Sequence, residues 1–385
     1  MSENILSAGY IQDKLDKSFK NKLKTIVFLE LNKDLIIDNK FKLTDNLPLP
    51  IKTDGLIEGI KASKYEERID FELLAEGMVC VIACDKDFKY NEDYINILKG
   101  TTEKIDSYLL SKSMELASKG EFIDALTYLI TLEKISDNHM IIWYNIGLIL
   151  KEMVFIKNEK GSTEEHDLFY QLSFEIFEEL SEIYPHFSKA YYIMGFYYSN
   201  EEKYQEAILA WQKAYELSAD SNTKAEIEKL IQNENDKLIF MEAKQKIIDG
   251  EAEQGLKMII PLIGRHDDWS EAKYFTALGY RKIQNYKKAE LLLNELIKAG
   301  ESFHEIYNEL GLCCMELGNV DNALKNLKTA VELNKDSGGY NCNLAIAYYY
   351  AGDDAKAKEY LKKAKELEPN DEIIVKCIRW MKLNI

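Results

Sequence analysis

Proline is scarce in this chain, with five in 385 residues. Proline in a helix interior removes an amide and clashes with the preceding turn, so its rarity leaves long stretches free to be helical. Two of the five stand in Asn46-Leu-Pro-Leu-Pro50, which therefore reads as an extended loop or linker. Long apolar runs are missing: no segment approaches 18 consecutive apolar residues, so no membrane span is expected. The opening Met-Ser-Glu-Asn has no basic flank or apolar core, so no leader peptide is expected. Cysteine is sparse and irregular. Cys80, Cys84, Cys313, Cys314, Cys342 and Cys377 suit reduced thiols in a cytosol better than a disulfide framework. A basic surplus is also missing: 49 Lys and Arg face 66 Asp and Glu, a formal charge of −17. That argues against nucleic acid and anionic membrane as partners. No glycine-rich phosphate loop, His-based zinc motif or serine-nucleophile elbow is present, so neither cofactor, metal nor catalysis is expected.

What is abundant is a pattern. Between Tyr307 and Leu367 the pairs Gly311 and Ala345, Ala323 and Ala357, Leu327 and Leu361, and Ala330 and Ala364 stand 34 residues apart. A fixed period of that size signals stacked helical hairpins, none able to bury its apolar face alone. Small residues at recurring places let two helices touch near their crossing, and large residues fill the space around them.

The pattern resembles the tetratricopeptide repeat (TPR), whose marker positions are 4, 7, 8, 11, 20, 24, 27 and 32. The repeat beginning at Ser188 matches through Tyr191, Met194, Gly195, Tyr198, Ala207, Trp211 and Ala214. The repeat beginning at Gly338 matches through Leu344, Ala345, Tyr348, Ala357, Ala364 and Pro369, with Asn341 at position 4 and Leu361 at 24 departing from the pattern. A turn signature joins the two helices of each hairpin: Gly120-Glu-Phe-Ile-Asp-Ala125 recurs at Glu202, Gln284, Gly318 and Gly352. The resemblance implies an all-α superhelix, a TPR solenoid.

In that frame seven hairpins span 106–371: 106–139, 140–187, 188–221, 236–269, 270–303, 304–337 and 338–371. The Ser188 repeat is out of step by 14 residues on each side. Residues 140–187 therefore read as one hairpin whose arms are each lengthened by two turns and joined near Gly161–Ser162. Thr223 to about Asp249 reads as one long helix, or a short helix plus helix. Residues 372–385 read as a capping helix, with Ile374, Cys377, Ile378 and Met381 on one face.

Residues 1–105 form a divergent, mostly helical module. Ile11, Leu15, Phe19, Leu23, Val27 and Leu31 recur every four residues, a helical stripe over 9–31; the rival is a strand over Thr25–Leu31. Residues 66–84 read as an amphipathic helix. With Tyr94, Ile95, Ile97 and Leu98 they make a degenerate hairpin capping the array.

The resemblance also implies a concave groove, lined by positions 2, 5, 9, 12 and 13 of each first helix. Positions 5 and 9 fall on Tyr144 and Leu148, Tyr192 and Phe196, Phe240 and Lys244, Tyr274 and Leu278, Asn308 and Leu312, and Cys342 and Ile346. An open aromatic groove suits a partner's helix or extended peptide; the alternative is that these rings pack within the protein. Lys237, Lys244, Arg281 and Lys282 could meet an acidic peptide; the plainer reading is solvated helix faces. The Lys and Asn pair by which some TPR domains hold a carboxyl terminus is missing. The expectation is a non-catalytic scaffold for another protein or peptide. The alternative is a peptide- or ligand-sensing regulator whose N-terminal module is output or autoinhibitory lid.

Overall fold

The computed structural model describes residues 5–30, 35–37, 41–43, 47–53, 71–101, 104–158 and 163–381. It divides into two compact units, residues 1–231 and 232–385.

Unit 1 opens with α1 (Ala8–Lys14) and α2 (Asp16–Leu23), where a single helix was expected. Leu15 interrupts them at φ −104°, ψ 16°. The apolar stripe survives the break: Ile11, Leu15 and Phe19 are all buried. It does not survive past Leu23. Residues Ile26–Leu29 form strand β1, antiparallel to β4 (Leu49–Lys52), with Val27 opposite Ile51 and Phe28 opposite Pro50. The helical reading of 9–31 is thus corrected from residue 26 on. Ile26 and Val27 are β-branched and favour an extended backbone when a partner strand takes up their amides. Pro50 is tolerated because, among the described residues, this ribbon has two strands. A second antiparallel pair joins β2 (Leu35–Ile37) to β3 (Phe41–Leu43). Residue 31 and residues 66–70 of the expected helices lie outside the described residues.

Helix α3 (Phe71–Cys84) lies under β4, and a Cβ on Gly77 would fall 2.0 Å from the Pro50 carbonyl oxygen. Helix α4 (Asn91–Thr101) follows. Helix pairs then succeed one another: α5 (Ile105–Ser118) with α6 (Phe122–Ile135), α7 (His139–Asn158) with α8 (Thr163–Ile183), and α9 (Ser188–Asn200) with α10 (Tyr204–Leu217). The long pair α7 and α8 has 20 and 21 residues; its junction at Gly161–Ser162 lies outside the described residues. Helix α11 (Ser221–Ile248) is one helix of 28 residues, and the division between the units falls within it.

One apolar core runs through unit 1, from Ile11 and Phe19 through Met78 and Leu129 to Trp143 and Phe177. Helices α1 and α2 are part of it. They pack on α3, α1 also meets α6, and the Tyr10 hydroxyl donates to Glu175 Oε2 of α8 at 2.7 Å. Gln12 donates to the carbonyls of Ile82 (3.2 Å) and Ala83 (2.8 Å), filling acceptors that the end of α3 leaves open.

Unit 2 holds α12 (Ala252–Arg265), α13 (Ser270–Lys282), α14 (Tyr286–Lys298), α15 (His304–Glu316), α16 (Val320–Leu333), α17 (Gly338–Tyr350), α18 (Asp354–Leu367) and α19 (Glu372–Trp380). The α15–α16 and α17–α18 pairs are packed alike, and α19 lies against α17 and α18. Asp371 caps α19, its carboxylate accepting from the amides of Ile373 and Ile374. Expected small-against-large contacts are present: a Cβ on Gly311 would meet Leu327 Cγ at 2.5 Å.

The turn signature has a backbone meaning. Gly120, Gly318 and Gly352 have φ of 76–78°, and Glu202 and Gln284 take the same left-handed place at 59° and 63°. Among the described residues no helix is long and apolar enough to cross a membrane.

Candidate functional site

The groove positions of unit 1 lie on α5, α7 and α9. Tyr144 of α7 is half-buried, edge-on to Phe177 and Phe187 with centroids 6.1 and 5.3 Å apart. The Lys189 ammonium stands over its outer face, 5.3 Å from the ring centre. Burial raises the Tyr144 pKa above the usual phenol value. Tyr192 of α9 donates to Glu226 Oε1 at 2.7 Å, so both its burial and that carboxylate hold its proton on. Phe196, one turn along, is edge-on to Tyr192 at 5.1 Å and to Trp211 at 5.2 Å. All four unit 1 residues expected in the groove, Tyr144, Leu148, Tyr192 and Phe196, keep part of their surface exposed.

Two cavities open along this face. A smaller one of about 190 Å³ brings Tyr144 and Tyr192 together with Lys189 and Glu226. A larger one of about 660 Å³ lies between α5 and α7, with Met114, Ala117, Leu148 and Ile149 among its lining. Sequence reasoning found Leu148 here but passed over Met114, Ala117 and Ser118. The signal was available: these are positions 9, 12 and 13 of the repeat beginning at Asp106, the same positions used elsewhere.

Unit 2 treats its expected site residues differently. Phe240 is 6% exposed and packs on Trp269 and Phe275, with centroids 4.7 and 6.0 Å apart; it is a core ring. Asn308 is equally buried and accepts from Asn343 Nδ2 at 2.9 Å. Tyr274, Leu278 and Leu312 remain half-buried, with Tyr274 edge-on to Phe303 at 5.8 Å. The four cations are each engaged inside the unit. Lys237 pairs with Glu234 and Lys244 with Glu271, both at 2.8 Å. Arg281 pairs with the buried Glu309, and Lys282 donates to the Ile248 carbonyl at 2.8 Å. Lys244 also covers the Phe275 ring at 4.7 Å. Each of these four cations is thus already engaged by a carboxylate or carbonyl of the unit.

All six cysteines are free thiols, and the Cys80 and Cys84 sulfurs touch at 4.0 Å. Burial pushes Cys313 up to about 12 and Cys314 up to about 11, away from thiolate chemistry. Among the described residues no group of three or more His, Cys, Asp or Glu is placed to hold a metal ion.

Comparison with known proteins agrees with the geometry. The family description "Tetratricopeptide repeat" matches residues 302–367 and 188–221. No curated protein sequence matches the chain. Among solved structures, the chain is similar to YrrB, described as a TPR protein with an unusual peptide-binding site. The two are 19% identical over 54% of this chain and 98% of YrrB, with a TM-score of 0.35. MamA protein is also 19% identical, covering 51% of this chain and 97% of its own, at a TM-score of 0.33. A tetratricopeptide repeat protein from Parabacteroides merdae ATCC 43184 is 12% identical, covering 72% and 99% at 0.34.

Proposed function

Because the chain is a tetratricopeptide-repeat protein, and so an interaction scaffold, we propose that it works without catalysis, holding a peptide or helix of a partner protein along its first helices. The observation that carries this is the unit 1 face. Tyr144, Leu148, Tyr192 and Phe196 all stay partly exposed, beside two cavities. Rings in such a place offer contact area at little conformational cost, which is what peptide recognition uses. In unit 2 the matching contribution is smaller, from Tyr274, Leu278 and Leu312.

The test is affinity capture from the native cell with the whole chain, beside a variant carrying Leu148→Asp and Tyr192→Ala. The partner recovered by the parent chain is expected to be lost by the variant, at an unchanged helical circular dichroism spectrum. Equal recovery would remove the unit 1 face from the reading. The rival reading, in which residues 1–105 act as a movable lid, has less support. Lifting α1 and α2 would strip Ile11, Leu15 and Phe19 of their burial, and a lid needs a weakly held surface.

A further inference from the structure

The larger unit 1 cavity is specific in a way the rest of the face is not. Its floor is apolar, from Met114, Ala117, Leu148 and Ile149. Met114 is 58% exposed, a large apolar side chain with no cover. The space exists because Ser113, Ala117 and Ser118 of α5 are small where α7 passes.

The one charged side chain of its lining without an ion-pair partner among the described residues is negative. Lys119 lines the cavity, but Glu115 holds its ammonium at 2.5 Å and Lys112 flanks the same carboxylate at 3.6 Å. Glu152, at position 13 of its repeat, is exposed at the opposite wall, and among the described residues it takes part in no ion pair. The surroundings reinforce that sign. Residues 1–231 hold 27 Lys and Arg against 41 Asp and Glu, a formal −14, whereas residues 232–385 hold 22 against 25. Helix α8, hairpin partner of α7, carries seven carboxylates and no Lys or Arg. A peptide approaching this unit meets a field that draws cations and repels anions.

We propose that the α5–α7 socket takes a large apolar side chain of a basic peptide, whose neighbouring lysine or arginine pairs with Glu152. This rests on the peptide-holding reading above and adds the chemistry of the peptide. The apolar residue supplies the affinity by covering Met114 and Leu148. The cation sets the direction and the choice of partner.

The experiment uses the whole chain and three labelled synthetic peptides of equal length, read by fluorescence anisotropy. The first has a central Leu-Phe pair among lysines. The second keeps Leu-Phe and replaces each Lys by Glu. The third keeps the lysines and replaces Leu-Phe by Ser-Ser. The first is expected to bind at least tenfold tighter than either of the others, and to weaken severalfold between about 0.02 M and about 0.5 M salt. Ser118→Trp fills the mouth from an exposed position and is expected to abolish binding of the first peptide. Glu152→Lys is expected to weaken it about tenfold and to narrow the gap to the Glu peptide. Melting curves confirm that both variants are folded. Equal binding of the first and third peptides would show charge alone at work and overturn the socket. So would parent-like binding by Ser118→Trp. If the lysine peptide binds through Tyr192 but ignores Ser118→Trp and Glu152→Lys, the socket falls and the peptide-holding reading stands. If Tyr192→Ala also changes nothing, and native capture is insensitive to it, both fall.

Discussion

A Cβ built on Gly195 would lie 2.3 Å from the indole nitrogen of Trp211, which donates to the Tyr192 carbonyl at 3.0 Å. The eighth position of this repeat is thus filled by its partner's ring, and the same ring supports Phe196 on the groove side. Gly195→Ala is expected to destabilise unit 1 by about 1–3 kcal/mol, because the core has no room to yield. Urea unfolding of the whole chain measures it. Combining Gly195→Ala with Trp211→Leu should add less than the two separate losses, since the clash disappears with the indole.

The left-handed turn positions give a prediction of opposite sign. Glu202 and Gln284 occupy a backbone region that side chains disfavour, where three sister turns have glycine. Glu202→Gly and Gln284→Gly are each expected to stabilise by roughly 0.5–1 kcal/mol, strain relief exceeding the added chain entropy. Gly318→Ala should destabilise by about 1 kcal/mol. Thermal melts of the three variants check the signs.

Asp236 predicts a pH dependence. It is 1% exposed and accepts from Arg265 Nε and Nη2 at 3.0 and 2.6 Å and from Gln232 at 2.7 Å, with His266 Nε2 also at 2.7 Å. Burial pushes its pKa up, but those hydrogen bonds together outweigh burial and leave the carboxyl below its ordinary value of 3.8. A depressed native pKa means stability that is present above the unfolded value and lost as pH falls through the folded one. Unit 2 is expected to lose this contribution below about pH 4. Asp236→Asn should destabilise it by about 1–3 kcal/mol at neutral pH and flatten the acid limb. Denaturation at a series of pH values, parent against variant, measures both.

The N-terminal helices predict a loss where a lid would predict a gain. Phe19→Ala is expected to destabilise unit 1 by about 3–5 kcal/mol, with hydrogen exchange rising in α3 and α6. Removing residues 1–24 should do the same and should not tighten peptide binding. Tighter binding on removal, in a chain that remains folded, would favour the regulator.

Much of the helical frame was legible because small residues are forced wherever two helices cross closely. Gly195 and Gly311 announce their partners Trp211 and Leu327 from the sequence alone. Helices α7 and α8 have 20 and 21 residues, and α11 runs undivided over 28. Strand β1 was less legible. The periodicity of Ile11, Leu15, Phe19, Leu23 and Val27 runs past the point where pairing with Leu49–Lys52 takes over, and each paired residue lies 20 or more positions away. The site divided along the same line. Tyr144 and Tyr192 keep part of their surface exposed. Phe240 and the cations near it could not be judged without knowing that Trp269, Glu271 and Glu309 reach them from elsewhere in unit 2.

The hydrogen bond from Tyr10 to Glu175 spans 165 residues of chain. At about 5–20 residues per second, translation delivers Glu175 roughly 8–33 s after Tyr10 has been made. Of the contacts α1 makes, the one to α8 thus becomes available after those to α3 and α6. Docking of α1 on α3 and α6 can therefore precede the closing contact to α8, which ties residue 10 to the second half of unit 1 only once residue 175 is present.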